Sequence, residues 1–293
     1  MDRAGIVVSV LLPPPQSPEQ VRGYDYNLFR TSLAKYPGRF SWLGGGRILN
    51  QMIQAHARRS PVNSVLEEFE RRATEIIERG AAGFGEITAH HYSYRHDHPY
   101  ESVPADSPLL LLLADIAARH DAVIDFHFDP VVRPTRLPAW MPSPPNPPSV
   151  ESNIRAFERL VAHNARAKFV WAHMGSDPLG HWTPELSRGL LEKYPNLNMS
   201  IRLGKLPSQS FDPGWSIDKE WLRLFNDYPD RFVIGGDQFI VSTGFKGGGP
   251  GIAFSEHAQA TRERTRDFLL KLPPHLRHKF AVENAVRLYK LPK

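Results

Sequence analysis

The chain has 293 residues, 41% of them hydrophobic, with a formal net charge of +5 and no cysteine. That is apolar material enough for one large α/β domain or two ordinary ones, and it excludes a disordered chain, a disulfide framework, a thiolate nucleophile and a cysteine metal site. Lys and Arg are scattered through helical patterns such as ERRATEIIERG and ATRERTRDF, so no nucleic-acid partner is expected.

In chain order, short β-rich runs recur at GIVVSVLL (5–12), FSWLGGG (40–46), GFGEITAHH (83–91), AVIDFHF (122–128), KFVWAHM (168–174), NLNMSIRL (196–203) and RFVIGGD (231–237). Helical patterns lie between them. In SVLEEFERRATEIIERG the residues Leu66, Phe69, Ala73, Ile76 and Ile77 share one face, and Gly80 supplies the stop. Ser107 with Pro108, and Thr183 with Pro184, mark two further helix starts. The longest apolar run, LLLLLADIAA from Leu109, is too short to cross a bilayer; no membrane partner is expected, and the location expected is cytoplasmic.

Alternation of strand and helix argues for parallel strands with right-handed crossovers, either an open doubly wound sheet or a closed barrel. GGGR (44–47) and FKGGGPG (245–251) match neither the Rossmann nor the Walker pattern, which weakens a nucleotide-binding reading. Side-chain period separates the two folds. In NLNMSIRL, Leu197, Met199, Ile201 and Leu203 oppose Asn196, Asn198, Ser200 and Arg202, whereas a strand of a doubly wound sheet is apolar on both faces. The same split sets Ile124, Phe126 and Phe128 against Asp125, His127 and Asp129, and Val170, Ala172 and Met174 against Phe169, Trp171 and His173. The expectation is one α/β domain over residues 1–293, a TIM-type (β/α)8 barrel with one strand unaccounted for. Long loops at 91–108 and 130–150 fall on its C-terminal rim; the second is proline-rich, and its Trp140 and Met141 can cover a ligand or simply pack there.

Three strand ends carry His127, His173 and Asp237. Each histidine alone reads more readily as a satisfied core imidazole, but two imidazoles and a carboxylate on one rim are what a zinc-type site with an open water position needs. Glu86 is a further inward candidate, either as a metal or substrate contact or as an acid paired across the sheet, for instance with Arg202. Arg202 itself can clamp a substrate carboxylate or pair with Glu86 or Asp237. Of His90, His91, His96 and His98, the strand-end His91 is the best substrate contact.

The motifs VIDFHFDP, FVWAHMGSD, RFVIGGDQF and ENAVRLYKL, in this order and spacing, resemble the amidohydrolase superfamily, in its amidohydrolase-related branch of metal-dependent hydrolases and non-oxidative decarboxylases. The resemblance implies that His127 binds metal, that His173 binds metal or substrate, and that Asp237 binds metal and moves protons. It also implies a first strand bearing His-x-His, which this chain lacks; the chain starts where that strand would already have passed, so an N-terminally truncated barrel is expected. Implied too are a divalent cofactor, zinc or alternatively manganese, and a small, carboxylated cyclic substrate oriented by Arg202, Trp140 and Trp182. The partners expected are that small molecule and, where the chain assembles, further copies of itself in a homo-oligomer. Hydrolysis through a metal-activated water is the leading reaction, decarboxylation of an aromatic or unsaturated acid the alternative, and a barrel without catalysis the third reading.

Overall fold

The computed structural model describes residues 1–20, 26–57, 59–94, 96, 98–174, 177–203, 217–238 and 254–292. Its strands are β1 (Ser9–Leu11), β2 (Phe40–Gly45), β3 (Gly83–His91), β4 (Glu101–Ser102), β5 (Val123–Phe128), β6 (Thr135–Arg136), β7 (Ser149–Val150), β8 (Lys168–Met174), β9 (Leu197–Ile201) and β10 (Phe232–Ile234). Seven of them run parallel in the order β1-β2-β3-β5-β8-β9-β10, forming a partial (β/α) barrel with helices between the strands. All seven runs expected from the sequence are strands. Among the described residues there is no eighth parallel strand, and β1 and β10 each pair on one side only.

The outer wall is apolar because the outward positions of the strands meet the helices. Phe126 and Phe128 stack on Phe157 of the helix Ile154–His163, and Phe157 lies 4.8 Å from Trp171. Each of these buried side chains contributes roughly 1.5–3 kcal/mol. In the helix Asn63–Glu78 the predicted face holds, with Phe69 and Ala73 fully buried. Thr183 caps the helix Pro184–Lys193 by accepting from Leu186 N at 3.2 Å, whereas Ser107 stands before Pro108 without making a side-chain cap bond. The inner floor of the barrel is a second cluster of Leu43, Val123, Val170, Val233, Leu288 and Tyr289. Tyr289, from the C-terminal helix Asn284–Tyr289, donates its hydroxyl to Asp125 at 3.0 Å, so the floor closes below the rim.

Two strands break simple alternation, and both breaks bear on the site. In β8, Phe169 and Trp171 pack outward and Val170 lies inward, the reverse of the expected split. Continued alternation would turn His173 outward with Trp171. Instead His173 takes φ 70° and the β8–β9 register shifts between Trp171 and Met174. In β3 the register against β5 shifts between Phe84 and Ile87, so Phe84 joins the outer core with Ile87 and does not share the face of Glu86. In β9 the expected split stands: Leu197, Met199 and Ile201 pack outward, while Asn198 and Ser200 bond to the backbone of β8.

The described residues of the two long loops fold over the rim. β4 pairs with the end of β3, placing His91 opposite Glu101, and β6 with β7 forms a hairpin in the proline-rich loop. Beneath it Tyr92, Val131, Met141 and Val150 make a small core of their own. No helix among the described residues is long and apolar enough to cross a membrane.

Candidate metal centre

Glu86 from within β3 converges with His127 and His173 from the C-terminal ends of β5 and β8, with one ligand atom from each within 4.8 Å of the others. The carboxylate sits between the rings: Glu86 Oε1 is 2.7 Å from His127 Nδ1 and 2.9 Å from His173 Nε2. Local structure explains the aim of each group. His127 follows strict alternation in β5, Glu86 enters through the register shift in β3, and His173 enters through its left-handed backbone, which costs of order 1–3 kcal/mol in a residue with a Cβ. Such strain recurs at Asp237, φ 40°, past the end of β10.

Charge is concentrated here. Burial alone would raise the Glu86 carboxyl, but the charges of His173 and His127 and the hydrogen bonds from their rings hold it well below the usual carboxylate range. Burial likewise opposes charge on His127, yet Asp129 and Glu86 outweigh it and raise the imidazole to about 10. Asp129, despite its burial, is drawn down to about 2 by His127. Burial, reinforced by Glu86, pushes Asp125 up to about 7. Around this centre Asp129 Oδ1 is 3.6 Å from His127 Nε2, and Asp237 Oδ2 is 3.7 Å from His173 Nδ1 and 2.7 Å from Arg202 Nε. Of the alternatives for Arg202, the pair with Asp237 is formed.

His91 lies against the centre, its ring 4.3 Å from that of His127 and 4.7 Å from that of His98, and no described group bonds to its buried Nδ1. Burial holds it well below the ordinary imidazole value, that is, neutral. The remaining aromatic candidates are elsewhere. Trp140 is 59% exposed on the cap, parallel to Tyr94 at 6.5 Å. Trp182 is buried instead of lining the rim: it stacks on Trp171 at 3.7 Å and donates Nε1–H to Ser187.

Three polar groups near the centre were not singled out from the sequence. Asp129 had a signal, since it lies two residues after His127 on the same face. Glu101 had none: the β3–β4 pairing buries it, Asn50 Nδ2 donates to it at 3.1 Å, and burial raises its carboxyl to about 7. Asp177 is likewise placed by its loop, where it accepts from the backbone N–H groups of Leu179 and Trp182.

The donor set fits a divalent cation. Two imidazoles and one carboxylate are a three-ligand set that leaves an open position, and the Glu86 oxygen already meets both ring nitrogens at short range. A family model described as amidohydrolase matches residues 47–291. No curated protein matches the sequence. Similar solved structures include a probable 2-pyrone-4,6-dicarboxylic acid hydrolase from Acinetobacter baumannii with citric acid bound, at 10% identity and a TM-score of 0.51, covering 99% of this chain and 85% of that one. An Agrobacterium tumefaciens protein in its apo form shares 16% identity at a TM-score of 0.53, over 100% of this chain and 83% of its own. A structure titled amidohydrolase II shares 14% at 0.53, over 99% and 86%. At these identities the likeness is one of fold.

Proposed function

The chain belongs to the amidohydrolase family, and on that premise we propose that it is a metal-dependent hydrolase of a small, carboxylated cyclic substrate, a lactone, ester or amide. The observation that carries this reading is the convergence of Glu86, His127 and His173 on one point of the rim. Zinc is the cation assigned, with manganese the alternative for this mixed nitrogen and oxygen donor set. A divalent ion held by the three residues supplies Lewis acidity, lowering the pKa of a water to about 7 and polarising a carbonyl.

The chain's own residues do the rest. Asp237 accepts the proton of the attacking water at a carboxylate oxygen and passes it to the leaving group. Arg202 Nε, 2.7 Å from Asp237 Oδ2, aims that carboxylate. The same guanidinium, with five N–H donors, takes the substrate carboxylate. His91 and, on the cap, Trp140 border the substrate, and the cap excludes water from it.

The test is to load the protein with zinc and incubate it with a panel of lactones and with hydroxybenzoates. Ring opening by water, lost in His127→Ala, is the outcome expected. Release of carbon dioxide without water addition identifies a decarboxylase, in which Asp237 protonates carbon. A protein that retains neither zinc nor manganese by elemental analysis and turns over nothing is a barrel without catalysis.

A further inference from the structure

Asn146 is 2% exposed in the middle of the proline-rich loop. Five of residues 142–148 are prolines, which have no N–H to offer, so this stretch has few backbone donors with which to hold its neighbours. The Asn146 side chain supplies what the backbone lacks. Its Oδ1 accepts from Ser93 N at 2.9 Å, and its Nδ2 donates to Ser93 O at 2.7 Å and to Pro142 O at 2.8 Å. One amide thus grips both backbone polar groups of a single residue in the other long loop, as a paired strand would.

The bonds continue to the metal centre. Ser93 directly follows Tyr92, whose N donates to Asp129 Oδ2 at 2.9 Å, and Asp129 Oδ1 faces His127 Nε2 at 3.6 Å. The same aspartate is held at the foot of the proline-rich loop. Asn153 Nδ2 donates to Asp129 O at 3.0 Å, while Asn153 Oδ1 accepts from Val131 N at 2.7 Å and Asn153 N donates to Val131 O at 2.9 Å. His90 Nδ1 donates to Asp129 O at 2.7 Å, and Asp129 N donates to His90 O at 2.9 Å. The backbone groups and one carboxylate oxygen of Asp129 are therefore fixed by β3 and the two loops, which leaves Oδ1 toward His127.

We propose that Asn146 is a positioning residue for the metal centre: by pinning Ser93 it sets the Tyr92 N–H, which aims the Asp129 carboxylate at the imidazole of His127. The grip of one loop on the other and the binding of the cation are thereby linked, so each strengthens the other by the same factor. The proposal rests on the reading of Glu86, His127 and His173 as the ligand set, and it gives a part to a residue whose hydrogen bonds reach none of them.

The experiment titrates the metal-free protein with zinc against a chromophoric chelator, in the wild type, in Asn146→Ala and in Asn196→Ala. Asn196 is the control. It too clamps the chain with its side-chain amide, donating to the carbonyls of Val161 and Ala167, but it does so at the start of β9, at the end of the barrel away from the rim. Asn146→Ala should weaken zinc binding about fivefold or more, the lower range for coupling between distinct sites. Asn196→Ala should leave it unchanged, so that general destabilisation does not account for the result. By reciprocity, zinc should slow amide hydrogen exchange at Tyr92 and Ser93 in the wild type, a readout that needs no variant. A wild type that takes up no zinc overturns the reading of the centre and this proposal with it. Zinc affinity unchanged in Asn146→Ala, affinity lowered equally in both variants, or exchange at Tyr92 and Ser93 indifferent to zinc overturns the proposal alone.

Discussion

Asp129 Oδ1 lies 3.6 Å from His127 Nε2, on the side of the imidazole away from Glu86, whose Oε1 is 2.7 Å from Nδ1. The ring is thus held between two carboxylates, one within the donor set and one behind it.

Such a carboxylate fixes the orientation of a ligating histidine and raises its basicity, an effect worth 10- to 100-fold in metal affinity in comparable sites. Asp129→Asn keeps an oxygen for the Tyr92 N–H, so the backbone contact survives while the charge is lost. The expected result is zinc affinity lower by about ten- to a hundredfold in competition with a chromophoric chelator. Unchanged affinity would show that Asp129 does not support the ligand.

Asp237 and Glu86 occupy different sides of His173, at 3.7 Å from Nδ1 and 2.9 Å from Nε2. That separates the carboxylate proposed to handle protons from the one inside the converging set. Asp237→Asn should therefore retain zinc at the wild-type stoichiometry and lower kcat by about 10²- to 10⁴-fold, the range for loss of a general acid or base. Loss of zinc from this variant would make Asp237 a ligand and remove its separate role.

How far the site could be read from sequence depends on how each strand behaves. β5 alternates without interruption, so His127 and Asp129 were legible as inward groups and Phe126 and Phe128 as outward ones. β8 looks equally regular, yet its faces are the reverse of the pattern that puts His173 inward with Trp171. The backbone at His173 reconciles an outward Trp171 with an inward imidazole, and a positive φ at a histidine leaves no mark in hydropathy. The β3 shift that separates Phe84 from Glu86 is silent for the same reason. Glu101 and Tyr92 lie in a loop whose course only its packing reveals, so their burial was beyond reach.

Glu101 makes stability depend on pH in a defined direction. Burial raises its carboxyl from about 4.5 to about 7, so between those values the folded chain holds a proton that the unfolded chain has lost. The contribution is fully present below about pH 4.5 and falls away as pH rises through about 7, a loss of about 3 kcal/mol. Glu101→Gln retains an oxygen for Asn50 and does not titrate. Denaturant titrations of the metal-free protein at pH 4.5, 6 and 8 should show the variant gaining on the wild type as pH rises. A constant difference across that range would mean that Glu101 titrates alike in both states.

Gly83 is the position where the sheet itself demands glycine. It pairs with Val123 of β5 on one side and Leu43 of β2 on the other, and a Cβ there would stand 2.1 Å from the Val123 carbonyl oxygen and 2.7 Å from its nitrogen. Neither atom can yield without parting two central strands on which Glu86 and His127 are aimed. Gly83→Ala should therefore cost about 3 kcal/mol or more, at the upper end of overpacking penalties, seen as a lower denaturation midpoint. Gly189 is the opposite case. It lies within the helix Pro184–Lys193, where an added Cβ meets nothing within 4 Å, so Gly189→Ala should stabilise by up to about 1 kcal/mol through helix propensity. Opposite signs for the same chemical change would show that close strand approach, and not glycine's flexibility, selects the residue at 83; equal signs would refute that account.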